Sequence, residues 1–203
     1  MSTQPNDKID FSRTHKDLYT ASQKVKEVEA GPAFFLSVKG KGEPGGTAFE
    51  KAIEKLYSVA YTAKFAIMKP KNADFKVSNL ECLWFITDPE NTPREDWTWE
   101  LLVRVPEALT TDDLHRVREE IQKKRGLDTS DVERRMWEEG KAVQMMHVGP
   151  YEKLGETYQR LDQYARDNAL TPKCPGHEIY FSDPRRVAPE KLRTIVRLPV
   201  SAR

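Results

Sequence analysis

Residues 83–89 read LWFITDP, and residues 178–184 read EIYFSDP. After a polar loop, each stretch is followed by a second apolar segment, VRVP at 103–106 and VRLP at 196–199. Each copy is therefore two strands joined through an Asp-Pro turn, and a glycine-containing turn followed by an apolar-striped helix lies upstream of it. The sequence predicts an α+β fold of two tandem β-α-β-β repeats in a pseudo-two-fold arrangement, with antiparallel sheets that form a central cleft.

The helix of each repeat is indicated by apolar residues spaced alternately three and four apart, which places them on one face of a helix. In the first repeat these residues are Phe49, Ile53, Leu56, Ala60, Ala63 and Ile67. In the second repeat they are Tyr151, Leu154, Tyr158, Leu161 and Ala165.

The chain divides into an N-terminal arm and a single domain. Residues 1–22 are polar with scattered aromatics, and we expect an arm without a core of its own. Residues 23–203 form the domain, with repeat one at about 25–107, a helical connector at 110–138 and repeat two at about 141–200. The first strand is predicted between Val25 and Val38. The connector is predicted as one helix that ends at Gly126 and a short second helix at 130–138.

Composition bears on the class of partner and on location. The 33 basic residues nearly balance the 32 acidic ones, so no global field attracts nucleic acid or an anionic membrane. No run of 18 apolar residues occurs. Cys82 and Cys174 are too few for a disulfide framework, and the four histidines lack ligand spacing. We therefore expect a cytoplasmic protein without metal or cofactor and without direct nucleic-acid or membrane contact.

The segment GKGEPG at 40–45 matches the residue pattern of a dinucleotide-binding fingerprint, but its chemical context does not fit one. Pro44 lacks a backbone N–H, Glu43 adds negative charge, and the acid expected on a following strand is missing because that stretch is predicted helix. We interpret the segment as a glycine turn.

Glu178 is the main candidate for a functional carboxylate. By alternation it shares a strand face with Tyr180, which is the concave face if Ile179 and Phe181 meet the helices. A carboxylate among aromatics has a raised pKa and can bind a cation or transfer a proton, although a solvated glutamate on an open sheet is an equal alternative. Glu81, on the other predicted strand, is a second acid for acid/base chemistry. Aligning the two Asp-Pro turns places Leu83 opposite Glu178 and Phe85 opposite Tyr180.

Aromatic residues concentrate around the repeated strands, in greater number than the packing of a small sheet needs, and flat rings suit a planar apolar ligand. Tyr57 and Tyr61 lie one turn apart on the first helix, where their hydroxyls could reach the cleft or simply face solvent. His147 ends an apolar strand and has a structural role as its alternative. The candidate ligand-binding residues are Trp84, Trp97, Trp99, Tyr61, Tyr180, Phe85 and His147, and the candidate catalytic residues are Glu178, Glu81 and Tyr57.

The segments MMHVGPY (145–151), EIYFSDP (178–184) and TIVR (194–197) closely resemble the GyrI-like small-molecule-binding domain family. In the first repeat, GKGEP (40–44), LYSVAY (56–61) and LECLW (80–84) resemble the stand-alone branch of that family. The similarity spans about residues 8–200. It implies a two-repeat fold around a ligand cleft, with a cleft glutamate that holds ligands in drug-sensing members and that matches Glu178 here.

The resemblance also implies an activity, since stand-alone members include hydrolases that open the cyclopropane ring of DNA-alkylating compounds. Residues 1–24 are too short for a DNA-binding module, so we expect this branch, in which the protein detoxifies such a compound. Cys82 departs from the family, whose members often carry glycine there. The alternatives are a module that only binds or sequesters a drug and, ranked last, a gyrase-inhibitor-like protein, because nothing in the sequence marks an interface.

Overall fold

A computed structural model describes residues 8–202 of the 203-residue chain, so the first seven residues of the arm lie outside the described part. Nine strands are present in it: β1 (Lys26–Ala30), β2 (Ala33–Lys41), β3 (Glu81–Trp84), β4 (Thr98–Val105), β5 (Glu133–Trp137), β6 (Gly140–Val148), β7 (Leu170–Pro172), β8 (Gly176–Tyr180) and β9 (Arg193–Ala202). Five α-helices accompany them: α1 (Phe11–Thr14), α2 (Lys16–Tyr19), α3 (Thr47–Thr62), α4 (Thr111–Arg125) and α5 (Leu154–Asp167). A π-helical turn, Ala63–Met68, extends α3.

The strands form one antiparallel sheet in the order β1-β6-β9-β8-β3-β4-β2-β5, and β7 pairs with the end of β9. The second repeat supplies β6, β8 and β9, and the first supplies β2, β3 and β4. The sequence predicts one sheet for each repeat. The structure joins the two because β3 and β8 pair directly, with Cys82 opposite Glu178. The predicted α+β, two-repeat architecture is confirmed.

Two helices cover one face of this sheet. Helix α3 packs over β2 and β4, and α5 packs over β6 and β9, so the central strands β3 and β8 lie between them. The predicted stripes face the sheet, with Leu56 of α3 and Leu161 of α5 fully buried. Helix α4 packs against α3, and a Thr110–Asp113 capping box and a left-handed Gly126 define its ends. The central strands β3 and β8 therefore lie between the two helices rather than beneath either one.

The N-terminal segment, residues 8–22, covers the opposite face. It forms the two one-turn helices α1 and α2, and the side chains of Phe11 and Tyr19 are buried in the main hydrophobic core. The Tyr19 hydroxyl donates to Glu81 Oε1 at 2.9 Å, and the backbone carbonyl of Leu18 accepts from Arg197 at 2.7 Å. Residues 8–22 therefore contribute to the core of the domain through Phe11 and Tyr19.

Two local predictions are wrong. The short helix at 130–138 is instead the edge strand β5, because the exposed edge of β2 offers backbone partners, and Arg134 stacks on Phe34 while Trp137 packs on Phe35. The single strand from Val25 to Val38 is two strands broken at 31–32. Strand β1 pairs with β6 of the other repeat rather than with β2.

The repeat alignment is also offset by one residue at the central strands. The register places Cys82 and Trp84 on the same face as Glu178 and Tyr180, whereas Leu83 and Phe85 belong to the other face by alternation. The offset arises because three residues lie between the end of β3 and Asp88 but only two lie between the end of β8 and Asp183. Cys82, and not Leu83, is the counterpart of Glu178.

Candidate active site between the two helices

The centre of the sheet carries one buried carboxylate, that of Glu178, on the face between α3 and α5. Glu178 lies on β8 between Cys82 of β3 and Val196 of β9, and only 5% of it is exposed. The sequence placed this side chain away from the helices, which is wrong. The reason is that the N-terminal segment covers the other face, where Ile179 lies beside Glu81. Glu178 thus lies on the helix-covered face of the sheet, and its surroundings between α3 and α5 are called the cleft below.

Two tyrosine hydroxyls hold the carboxylate. Tyr158 of α5 donates to Oε1 at 3.1 Å, and Tyr180 of β8 donates to Oε2 at 2.8 Å. Tyr151 packs its ring edge-on against Tyr180, with centroids 5.8 Å apart. Each carboxylate oxygen still has a lone pair available for a water molecule or a ligand, because an ionised carboxylate accepts about four hydrogen bonds.

The other wall of the cleft is aromatic. Trp84 stacks face to face on Phe49 of α3 at 5.8 Å and meets Trp97 edge-on at 5.7 Å. The Trp84 indole Nε1 is buried and has no well-formed hydrogen bond within residues 8–202, although its proximity to Glu178 favours the charged carboxylate. A buried N–H donor without an acceptor is costly, which makes Trp84 a candidate donor to a bound molecule.

Burial raises the pKa of Glu178, and the hydrogen bonds from Tyr180 and Tyr158 only partly oppose this effect. Burial and the charge of Glu178 likewise raise the pKa of both tyrosines well above its usual value, so their hydroxyls stay protonated and act as donors. The same two causes raise the pKa of the Cys82 thiol. The site therefore offers the Glu178 carboxylate as a general base, whereas the Cys82 thiol is not favoured as a thiolate nucleophile.

The fold and this cleft agree with the family comparison. The GyrI-like small molecule binding domain matches residues 23–201. The chain belongs to this family. Residues 23–201 are thus a small-molecule-binding domain by family, and the cleft between α3 and α5 is the candidate place for such a ligand.

Two solved structures of proteins from Listeria innocua are similar over nearly the whole chain. A hydrolase is 36% identical with a TM-score of 0.86, and an uncharacterized conserved protein is 37% identical with a TM-score of 0.90. In both comparisons 96% of this chain and 100% of the other are covered. The EcmrR C-terminal domain, 15% identical over 89% of this chain and 98% of its own, shares the fold with a TM-score of 0.57. No curated protein matches significantly.

Glu81 is not brought together with Glu178. It points to the opposite face of β3, where its carboxylate accepts from Tyr19 and lies 3.0 Å from His177 Nε2. The candidate pair of catalytic carboxylates is therefore separated by the sheet itself. Glu81 instead belongs to a buried charged network beneath the N-terminal segment.

The tyrosines of α3 lie at the edge of the cleft. Burial raises the pKa of Tyr57 to about 12, and its hydroxyl lies near the backbone of Leu80. Tyr61 is 49% exposed and continues a line of rings from Tyr57 to Phe65. Phe85, just beyond β3, is also largely exposed. These rings are outside the immediate surroundings of Glu178.

Trp99 and His147 have structural contacts. The Trp99 indole donates to the carbonyl of Gly42 at 3.1 Å, and its ring lies over Gly40, where a Cβ would approach it to 2.1 Å. This contact explains the first glycine of the 40–45 segment, and a positive φ of 127° explains Gly42. His147 bonds through Nδ1 to Thr157 and through Nε2 to the carbonyl of Pro150.

Tyr158 and Tyr151 are cleft residues that sequence reasoning did not select. Both belong to the apolar stripe that the sequence predicts for the helix of the second repeat, although Tyr151 lies in the turn just before α5. A tyrosine in a stripe of leucine and alanine does carry a signal, since a buried hydroxyl needs an acceptor on the element that it faces.

Within residues 8–202 there is no group of three metal-ligating side chains and no helix long and apolar enough to cross a bilayer.

Proposed function

We propose that this protein hydrolyses a planar, largely apolar electrophile and that it opens the cyclopropane ring of DNA-alkylating cyclopropanoid compounds. The observation that supports this most strongly is a buried carboxylate of raised pKa, held by two tyrosine hydroxyls and bordered by stacked aromatic rings. The similarity to a Listeria hydrolase at 36% identity favours an enzyme over a module that only binds.

In the proposed reaction Glu178 acts as a general base. Its carboxylate takes a proton from a water molecule while the water oxygen bonds to a cyclopropane carbon. The strained C–C bond breaks, and its electron pair moves into the conjugated carbonyl of the ligand as an enolate. Protonated Glu178 then returns the proton, so the net change is addition of water across one C–C bond.

The other cleft residues have distinct roles in this proposal. The Trp84 N–H, which lacks a protein acceptor among the described residues, donates to the developing enolate oxygen. Tyr158 and Tyr180 hold the carboxylate in place, and removing either hydroxyl raises the pKa of Glu178 further. Trp84, Trp97 and Tyr151 provide apolar faces and edges against which a flat ligand stacks.

Turnover in ¹⁸O-labelled water tests both activity and mechanism. The protein is mixed with less than one equivalent of a cyclopropane-bearing alkylator, and the product is analysed by mass spectrometry. General-base catalysis predicts ring-opened product carrying one ¹⁸O after a single turnover. Product with unlabelled oxygen would indicate direct attack by the Glu178 carboxylate. Ligand that stays intact and bound in stoichiometric amount would reject the hydrolase in favour of sequestration.

A further inference from the structure

A second polar cavity lies on the other face of the sheet, beneath the N-terminal segment. It is open, has a volume of about 350 Å³, and is bordered by residues 14–18 and by the turn between β1 and β2. Arg104 of β4 lines it. An inner cavity of about 20 Å³, enough for one water molecule, lies beside it, and Leu18, Gly31 and Arg104 line both. The sheet separates this region from the cleft of Glu178.

Arg104 is the unusual residue of this cavity. Its side chain is only 7% exposed, yet within residues 8–202 it forms no ion pair with a carboxylate. One guanidinium nitrogen lies 3.1 Å from His15 Nε2, and the rings of Phe11 and Tyr19 flank the guanidinium at 5.0 and 6.0 Å. By contrast, Arg197 in the same region pairs with Glu139 at 2.8 Å.

The basic groups around the inner cavity differ in their partners. Arg197 lies 2.8 Å from Glu139, and the ring nitrogens of His177 lie 3.0 Å from Glu81 and 3.1 Å from Glu139. Arg104, which also lines this cavity, has no carboxylate partner among residues 8–202. A buried charge without a counter-charge is unfavourable, and an anion beside Arg104 would neutralise it.

We propose that this cavity binds the carboxylate group of a small ligand, with Arg104 as its anchor and His15 at its border. The planar guanidinium suits a carboxylate because the two can form paired, charge-assisted hydrogen bonds. Asp17 and Glu29 at the mouth add negative charge and so disfavour a dianion such as phosphate. A volume of about 350 Å³ lies within the range of small-molecule sites.

Nuclear magnetic resonance of His15 provides the test. Partial burial and the neighbouring Arg104 lower the pKa of His15, so an anion on Arg104 raises it again. The full chain is titrated with sodium acetate at constant ionic strength, with sodium chloride as the control salt. We expect a saturable shift of the His15 ring signals and a rise in the pKa of His15 with acetate only. His115, exposed on α4, is the internal reference.

Two arginine variants decide whether Arg104 carries the binding. Arg104→Gln should weaken acetate binding at least about tenfold, since it removes a charge-assisted pair of hydrogen bonds. Arg134→Gln is the matched control, because Arg134 also stacks on an aromatic ring, that of Phe34, but does not line the cavity. Arg104→Lys, which keeps the charge but not the planar fork, replaces Arg104→Gln if the latter fails to fold.

Three results would overturn the proposal. The first is an absence of saturable His15 shifts with acetate on the wild-type chain. The second is an Arg104 variant that binds acetate as tightly as wild type. The third is tighter binding of inorganic phosphate than of acetate, which would contradict the carboxylate class.

Discussion

Gly176→Ala is expected to disturb the candidate active site through Tyr158 alone. Gly176 has an ordinary backbone conformation, so an alanine there is not strained. Its Cβ would, however, lie 2.9 Å from both Cε1 and Oη of Tyr158. Restoring an ordinary contact of 3.4 Å requires the ring to retreat by about 0.5 Å. The hydrogen bond from Tyr158 to Glu178, now 3.1 Å, would lengthen to about 3.6 Å and be lost.

The expected cost is about 1–3 kcal/mol of unfolding free energy from crowding, together with weaker ligand binding. Urea unfolding in a double-mutant cycle isolates the cause. In a Tyr158→Ala background, Gly176→Ala should cost less than about 0.5 kcal/mol, because the ring that it strikes is absent. Gly155→Ala on α5 is the control, since no atom lies within 4 Å of its Cβ. An equal cost of Gly176→Ala in both backgrounds would refute the reasoning.

Two further predictions concern the charged network beneath the N-terminal segment. Tyr19→Phe removes the buried hydroxyl that donates to Glu81 Oε1 and should cost about 1–3 kcal/mol in urea unfolding. Tyr164→Phe, which loses an exposed 3.4 Å contact, should cost less than about 0.5 kcal/mol, and equal costs would contradict this assignment. Burial opposes ionisation of Glu139, but the charges of His177 and Arg197 hold its pKa at about 2, below the usual 4.5. The ionised Glu139 therefore contributes its full stabilisation of the folded state above pH 4.5, and this contribution is lost as the pH falls towards 2. Glu139→Gln should therefore cost on the order of 3 kcal/mol at pH 7, and a cost that does not shrink in thermal unfolding between pH 4.5 and 2 would argue against the ion pairs.

The repeated strand pair and the two helical stripes were sufficient to predict the architecture. Alternation along β8 also correctly separated Glu178 and Tyr180 from Ile179. What alternation cannot supply is which of the two faces the helices cover. Here both faces are covered, one by helices and one by residues 8–22, so the apolar Ile179 was no guide to the helix side.

The remaining errors share a physical origin in long-range pairing. Residues 133–137 have no strong local preference, and the free edge of β2 makes them a strand. The polar-looking segment around Phe11 and Tyr19 becomes part of the core only because the sheet presents Glu81 and Arg104 to it. A pattern confined to one segment does not contain either partner.

The most direct test of the account is the rate of ring opening by Glu178→Gln compared with Glu81→Gln. The two glutamates lie on adjacent central strands, both buried, but on opposite faces of the sheet. Stopped-flow or chromatographic assays of a cyclopropanoid substrate should show a loss of at least about 100-fold in kcat for Glu178→Gln, with ligand Kd nearly unchanged. Glu81→Gln should retain the wild-type rate. Wild-type turnover by Glu178→Gln, or equal losses in both variants, would contradict the assignment of the base.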